Sequence, residues 1–377
     1  MRMVKKWILI SLMSLYIIFT AGCWDRVEIE KNAFILGLGI DSGKDDNLVI
    51  TYQVALLEAF KGEGEKEKST QQISIESDSL SEATNTLLRR FGNTPNLSHC
   101  KLVVFGEEYA RKGIKDSLDY LFREPNLRRI TSVCVAKGQA KEILDSEPQM
   151  APSSAMVIDQ IITQNSTNNS GIFPFTDIGY LHRNFIRKSD IALVGVKAGK
   201  DNVEVLGAGI FKDYKLVGWF NDREVTGQRF ILGEIHRGLL TADLPDEMGG
   251  RLTLNAYNIS AHTIPKITDR NIKIKTKVLV EGDINEVTNP DPLTDTKATL
   301  EYWGKAMEDD IRDAIETAFK KGRDTFGVDC FEIDEKIEGY YPKFWNNHGK
   351  EWDELFKTMD LDLDIQVKIR RVGLIEP

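Results

Sequence analysis

The chain is short of the residues that build metal and redox chemistry. Histidine occurs five times, at His99, His182, His236, His262 and His348, and no two lie within five positions of each other. Neither HExxH nor CxxC is present. Metal sites use such close pairs because one element can then aim two donors at one ion, so no metal site is expected. Cysteine occurs four times, at Cys23, Cys100, Cys134 and Cys330. That count, without paired spacings, argues against a disulfide scaffold. Cys100 and Cys134 sit in strand-like runs, and a bridge between them needs neighbouring strands with both side chains on one face. Otherwise they are small buried hydrophobes, like Cys330. No GxSxG occurs. Because triad members are dispersed in sequence, that absence counts against a hydrolase rather than ruling one out. Gly37-Leu38-Gly39 with Gly43 imitates a dinucleotide loop, but that motif must open a helix, and here a turn and a strand follow. A hairpin with close backbone approach explains these glycines better. The residues therefore propose no catalytic group and no cofactor.

Basic residues are also outnumbered, 49 against 58 acidic ones. An acidic chain has the wrong field for phosphate, so nucleic acid is not an expected partner. Beyond the N-terminus no apolar run approaches the roughly 18 residues that suggest a membrane span.

What is present is concentrated at the start. Arg2, Lys5 and Lys6 precede an uncharged, mostly apolar run over 7–20. Thr20-Ala21-Gly22-Cys23 follows, and then charge begins abruptly. The run is too short to span a bilayer comfortably but suits the core of a signal peptide. Small residues before a cysteine fit the narrow cleft of a lipoprotein signal peptidase, and the Cys23 thiol is the acceptor that diacylglyceryl transfer needs. Residues 1–22 are thus expected to be a lipoprotein signal peptide. Cys23 is expected to carry lipid, with acylation of its amino group (palmitate, for example) as a further step. An uncleaved N-terminal anchor helix is the alternative, and it leaves the body on the same side. Cleavage would leave 355 residues and, with three basic and no acidic residues lost, shift the formal charge from −9 to −12. Such a length suggests two or three domains.

Periodicity supplies the elements. NAFILGLGID and NLVITYQVALL flank a turn-forming stretch and predict a hairpin. The charged 60–70 stretch predicts a surface loop, and QQISIESDS a short strand. Residues 80–91 predict a helix with Leu80, Ala83, Leu87, Leu88 and Phe91 on one face. A strand over 101–105, a helix over 109–122, a strand over 130–136, and helices near 138–143 and 153–164 follow. This alternation predicts an α/β layer domain over 23–190. The polar tract 165–171 predicts an exposed loop. Strands over 189–197, 203–211 and 216–220 predict a small β-rich middle unit over 191–250. In the last third, RLTLNAYNIS, NIKIKTKVLVEG and LDLDIQVKIR alternate with period two. Between them Leu300, Trp303, Met307, Ile311, Ala314, Ile315, Ala318 and Phe319 mark an amphipathic helix, and Trp352, Leu355 and Phe356 a shorter one. Residues 251–377 should thus form an antiparallel sheet packed on helices. Overall the pattern predicts an α+β, multi-domain fold with mixed or antiparallel sheets.

Two charged runs stand out in that last region. Lys273, Lys275 and Lys277 share one strand face, as do Asp362 and Asp364. Each reads first as the solvated side of a sheet. The basic end Lys368-Ile369-Arg370-Arg371-Val372-Gly373 has a second reading as a contact for lipid head groups or an acidic partner.

The order of these pieces resembles one family. Cys23-Trp24-Asp25-Arg26-Val27-Glu28-Ile29 at a lipoprotein cleavage site is similar to the mature start of the Ger(x)C spore-germination lipoproteins. AFILGLGID (33–41), HCKLVVFGEEYA (99–110), LGAGIFK (206–212), LVGW (216–219), EVTG (224–227) and VKIRRVGL (367–374) continue the likeness across the mature chain. The resemblance implies the C subunit of a nutrient germinant receptor. Its partners would be a membrane A subunit and a polytopic B subunit. Its place would be the outer face of the spore inner membrane, held by lipid. It implies an α+β fold, no enzymatic activity and no catalytic residue, and it leaves open which nutrient is detected and whether this subunit touches it. A solute-binding lipoprotein of a membrane transporter is the alternative, sharing anchor and length but needing two parallel α/β lobes around a cleft.

Overall fold

The computed structural model describes residues 2–8, 11, 31–56, 69–148, 151–167, 173–199, 202–244, 250–268, 271–288 and 297–371. Nine strands build a first sheet: β1 (Asn32–Ser42), β2 (Leu48–Ala55), β3 (Thr70–Ser77), β4 (Thr94–Asn96), β5 (Leu102–Phe105), β6 (Ser132–Ala136), β7 (Ile191–Ala198), β8 (Val203–Lys212) and β9 (Lys215–Phe220). Their order is β3-β2-β1-β5-β6-β7-β8-β9, with β4 beside β1. The centre β1-β5-β6-β7 is parallel, and both flanks are antiparallel hairpins. Parallel strands are covered on both faces, which is why Leu102–Phe105 and Ser132–Ala136 are buried at every residue. One face carries the helices Leu80–Phe91, Lys115–Arg123 and Ile178–Arg187. The other carries Ala140–Asp145 and Ser154–Thr167.

Four strands build the second sheet: β10 (Gly238–Asp243), β11 (Arg251–Thr268), β12 (Asn271–Thr288) and β13 (Asp360–Arg371). The hairpin β11–β12 alternates buried and exposed residues along most of its length. The inner face packs on the helices Asp222–Leu232 and Lys297–Lys320. The long helix also shields the open edge of β13: Arg312 donates to the Leu363 carbonyl at 3.4 Å, and Glu308 accepts the Val367 N–H at 3.1 Å. Bare edges invite further strand pairing, and these contacts occupy part of this one.

The α+β class with two mixed sheets is what the chain forms, and several expectations need correction. The C-terminal sheet is not wholly antiparallel, because β13 runs parallel to β12. Parallel neighbours need a long crossover, which the helices between Thr288 and Asp360 provide. The middle unit over 191–250 is not a sheet of its own. Its strands β7–β9 extend the first sheet, whereas β10 joins the second. Each of these strands pairs with its neighbour in sequence, and the break between the sheets falls between β9 and β10. The helix expected over 109–122 is two, Glu107–Lys112 and Lys115–Arg123, separated at Gly113. Leu88 and Phe91 are 40% and 49% exposed, so the buried face of Leu80–Phe91 is narrower than its pattern suggests. The helix Asp222–Leu232 was not anticipated. Ser154–Thr167 runs into the polar tract expected as loop, whose remainder at 168–171 lies outside the described residues, as does most of the 60–70 loop.

Gly227 sits where Asp222–Leu232 crosses the long helix, and a Cβ there would meet the Ala314 carbonyl. Gly339, in the helix Ile333–Tyr340, has open space around it. Chemical denaturation should therefore show Gly227→Ala losing about 1–3 kcal/mol. Gly339→Ala should be neutral or gain up to about 1 kcal/mol from helix propensity. Equal effects would refute this close helix crossing.

Candidate functional site

The residues singled out by sequence are scattered. Cys23 lies outside the described residues. His99 stacks edge-on against Phe34, His182 contacts Phe122 and the Arg129 guanidinium, His262 bonds Ser260, and His348 lies on Phe344. The His236 carbonyl accepts the Ile259 N–H. Among the described residues no group of three or more His, Cys, Asp or Glu is arranged to hold a metal.

Cys100, Cys134 and Cys330 are free and buried. Cys100 belongs to the core on one face of the first sheet and Cys134 to the core on the other, so the sheet itself keeps their sulfurs apart. Burial pushes the Cys100 thiol up to about 12, and raises the other two as well. Thiolates are disfavoured at all three, and these sulfurs act as packing groups.

The Gly37-Leu38-Gly39 segment lets a helix approach the sheet. A Cβ on Gly37 or Gly39 would crowd Leu144, and on Gly39 also Ala140. At the end of that strand Asp41 accepts the backbone N–H groups of Ala140 and Lys141 at 2.7 and 2.9 Å, capping the helix Ala140–Asp145. Desolvation raises its carboxyl, and these two bonds pull it back.

The charged runs of the second sheet face one another. Lys273 pairs with Asp362 and Lys277 with Asp364, each at 3.9 Å. At the basic end, Lys368 and Arg370 converge on Glu281 at 3.9 and 2.6 Å, and the Arg370 bond lowers the Glu281 carboxyl. Exposed pairs of this kind contribute little stability. They leave part of the basic end already neutralised.

The densest constellation was not legible in sequence. It lies on the seam where the end of Ile178–Arg187 and the start of β7 meet the segment 327–338. Asp329, buried, accepts N–H bonds from Phe331, Ile333 and Asp334. Asp190 accepts the Asp329 N–H at 3.3 Å, and Ser189 donates to Asp334 at 2.8 Å. Arg183 reaches Glu332 at 3.0 Å and Arg187 reaches Glu338 at 2.7 Å. Lys212 at the end of β8 donates to the Gly327 carbonyl at 2.7 Å and pairs with Asp353 at 3.1 Å. Desolvation pushes the Asp190 carboxyl up to about 7, against the pull of Lys212. Asp329 and Asp334 are raised by the same cause. The arrangement holds two parts of the chain together through charge and backbone donors.

Against this geometry the likeness to known proteins is decisive. The family model described as "Spore germination protein N-terminal domain" matches residues 25–198, and "Spore germination B3/ GerAC like, C-terminal" matches 206–373. The chain belongs to the Ger(x)C family of spore germination proteins. Spore germination protein B3 of Bacillus subtilis (strain 168) is 23% identical over 373 residues, 97% of this chain and 98% of the relative. Spore germination protein KC of the same organism is 25% identical over 403 residues, 99% and 97% of the two chains. Spore germination protein GerQC of Bacillus cereus is 22% identical over 378 residues, 99% and 100%. The crystal structure of the GerBC protein matches with a TM-score of 0.60 at 22% identity, over 91% of this chain and 99% of that one. That match speaks for the fold alone. The two family regions divide between β7 and β8, so the C-terminal region of this Ger(x)C chain completes the sheet of its N-terminal region.

The seam predicts a pH dependence. A carboxyl whose folded pKa is raised holds a proton that the unfolded chain releases near 3.8, so its folded form loses stability as pH rises from about 4 to about 7. Calorimetric melting between pH 5 and pH 8 should show a fall in Tm for the native chain and a smaller fall for Asp190→Asn. Parallel curves for the two proteins would refute the assignment.

Proposed function

We propose that this chain is the C subunit of a spore nutrient germinant receptor, anchored by lipid on Cys23 and acting without catalysis beside A and B membrane subunits. The observation that carries the reading is the family match. It begins at residue 25, two positions after Cys23, and covers 25–198 and 206–373. The body that follows the expected anchor is therefore of Ger(x)C type throughout. Relatives that carry the name spore germination protein align over nearly their whole lengths.

Physical logic supports the anchor. No helix among the described residues is long and apolar enough to cross a membrane. The acidic body lacks a field for broad adhesion to anionic lipid. Attachment then falls to acyl chains, each buried methylene contributing about 0.8 kcal/mol, with two chains giving a stable hold. Confinement to a thin layer beside membrane partners raises their effective concentration, so weak contacts suffice. The place of action is the outer face of the spore inner membrane. The alternative, a solute-binding lipoprotein of a membrane transporter, requires two parallel α/β lobes around a cleft. The second sheet here is largely antiparallel, and its core includes Ala208, Ile210 and Phe220 from the first sheet.

Cys23→Ala should release the protein from spore membranes on fractionation and impair the germination response. Full membrane retention with a normal response would overturn the anchor. Purification of the native complex through this chain should bring two membrane subunits with it, and their absence would overturn the receptor role.

A further inference from the structure

Strands β1, β4, β5, β6 and β7 run parallel, so all of them begin at one end of the first sheet. The N-terminal connection enters at that end, where Asn32 pairs with Thr94. Beside it the Phe34 ring meets His99 at 5.4 Å, and the Lys101 N–H donates to the Leu36 carbonyl at 2.8 Å. His99 and Lys101 in turn wall an open cavity of about 210 Å³ with Arg128, Ile130, Asp159 and Phe175.

This end leaves large apolar side chains in water. Ile130 is 60% exposed and Phe175 37%. Phe91, the last residue of its helix and close in sequence to Thr94, is 49% exposed. Its charge is also opposite to that of the acidic chain. Asp159 is the one carboxylate in the cavity wall, and it is engaged by the Ser132 hydroxyl at 2.7 Å and Lys101 at 3.9 Å. Arg128 in the same wall, and Arg90 beside Phe91, have no ion-pair partner among the described residues.

Exposed apolar groups set among basic ones match the boundary between anionic head groups and acyl chains. Salt screens charge over about 8–10 Å, so the acidic remainder of the body does not cancel a local basic patch. The connection itself adds no attraction, because Asp25, Glu28 and Glu30 outnumber Arg26 and Lys31. A tether of this length confines the body near the bilayer without choosing which side faces it, and the patch makes that choice.

We propose that this end of the first sheet lies against the bilayer, with Phe91, Ile130 and Phe175 at the head-group boundary and Arg90, Lys101 and Arg128 on anionic lipid phosphates. The proposal rests on the anchoring at Cys23, which brings this end to the membrane.

The full chain, floated with vesicles of phosphatidylcholine and phosphatidylglycerol, tests the face. The photocrosslinker p-benzoylphenylalanine takes the place of Ile130 or Phe175. Val217 and Tyr257, 38% and 50% exposed, are the control positions. Val217 lies on β9, whose Trp219 bonds Glu107 beyond the opposite end of β5, and Tyr257 lies on the second sheet. Lipid crosslinks should form from the first two positions and be at least about fivefold weaker from the controls. Arg90→Glu combined with Arg128→Glu, both at exposed positions, should cut the crosslinks from position 130 at least about fivefold when phosphatidylglycerol is present. Equal crosslinking from all four positions, no lipid crosslinks from the first two, or indifference to the charge reversal would overturn the proposal. Cys23→Ala, floated in parallel, decides the anchor separately. If it floats as the unaltered chain does, anchoring at Cys23 fails while the crosslinks still report the face. If the unaltered chain does not float, both readings fail.

Discussion

The fold depends on one hairpin. Strands β8 and β9 close the first sheet, and their side chains enter three cores. Phe211 and Leu216 pack with one face of that sheet. Val203, with Val205 against it, packs with the other. Ala208, Ile210 and Phe220 join the core of the second sheet. Period-two alternation makes this sharing natural, since Ile210 and Phe211 must point opposite ways. The close fit also explains the glycines in LGAGIFK. Gly207 adopts a φ of +48°, and a Cβ there would run into the Phe220 carbonyl. A β-branched residue at that position would break the contact that joins the two halves.

That shared core makes the seam a place where polar groups are trapped. Asp329 is compensated by three backbone donors, which in turn fix the loop from Phe331 to Asp334. Fixing that loop holds Glu332 at a φ of +54°, a conformation that costs energy in a residue with a Cβ. The strain is maintained because its neighbours are bonded on both sides. A group of carboxylates in so dry a place is not an efficient way to gain stability. Its effect is to define one relative placement of β7 and the C-terminal segment, since each acceptor is matched to a particular donor.

Much of this architecture was legible in sequence, and the failures have physical causes. Runs such as LVVF and SVCVA announce strands buried on both faces, and the alternation of β11 and β12 announces a half-covered hairpin. The order of strands was not legible, because periodicity records which face is wet and not which neighbour is bonded. This hid the parallel pairing of β13 and divided the expected middle unit. The helix Asp222–Leu232 escaped for another reason. It buries Glu224, Gln228 and Arg229 along with Val225, Phe230 and Ile231, so it carries no apolar stripe. Its available signals were Asn221 three residues before Glu224, a capping box that the structure contains, and Gly233 directly after its last residue, in the left-handed conformation. Asp190, Asp329 and Asp334 carry no signal of their own in the sequence, since nothing local distinguishes a carboxylate that a distant loop will cover.

The route from lipid to body has a geometric consequence. On the proposed anchoring, Cys23 is separated from β1 by the eight residues 24–31. Fully extended, the nine Cα–Cα steps from Cys23 to Asn32 reach roughly 30–32 Å. Asn32 then stays within that distance of the attached lipid whatever path the connection takes. β1 is an inner strand of the first sheet, bonded to β2 on one side and β5 on the other. A tether at Cys23 would enter β1 at Asn32–Phe34, beside β4, ahead of the pairing with β2 from Ile35 and with β5 from Gly37.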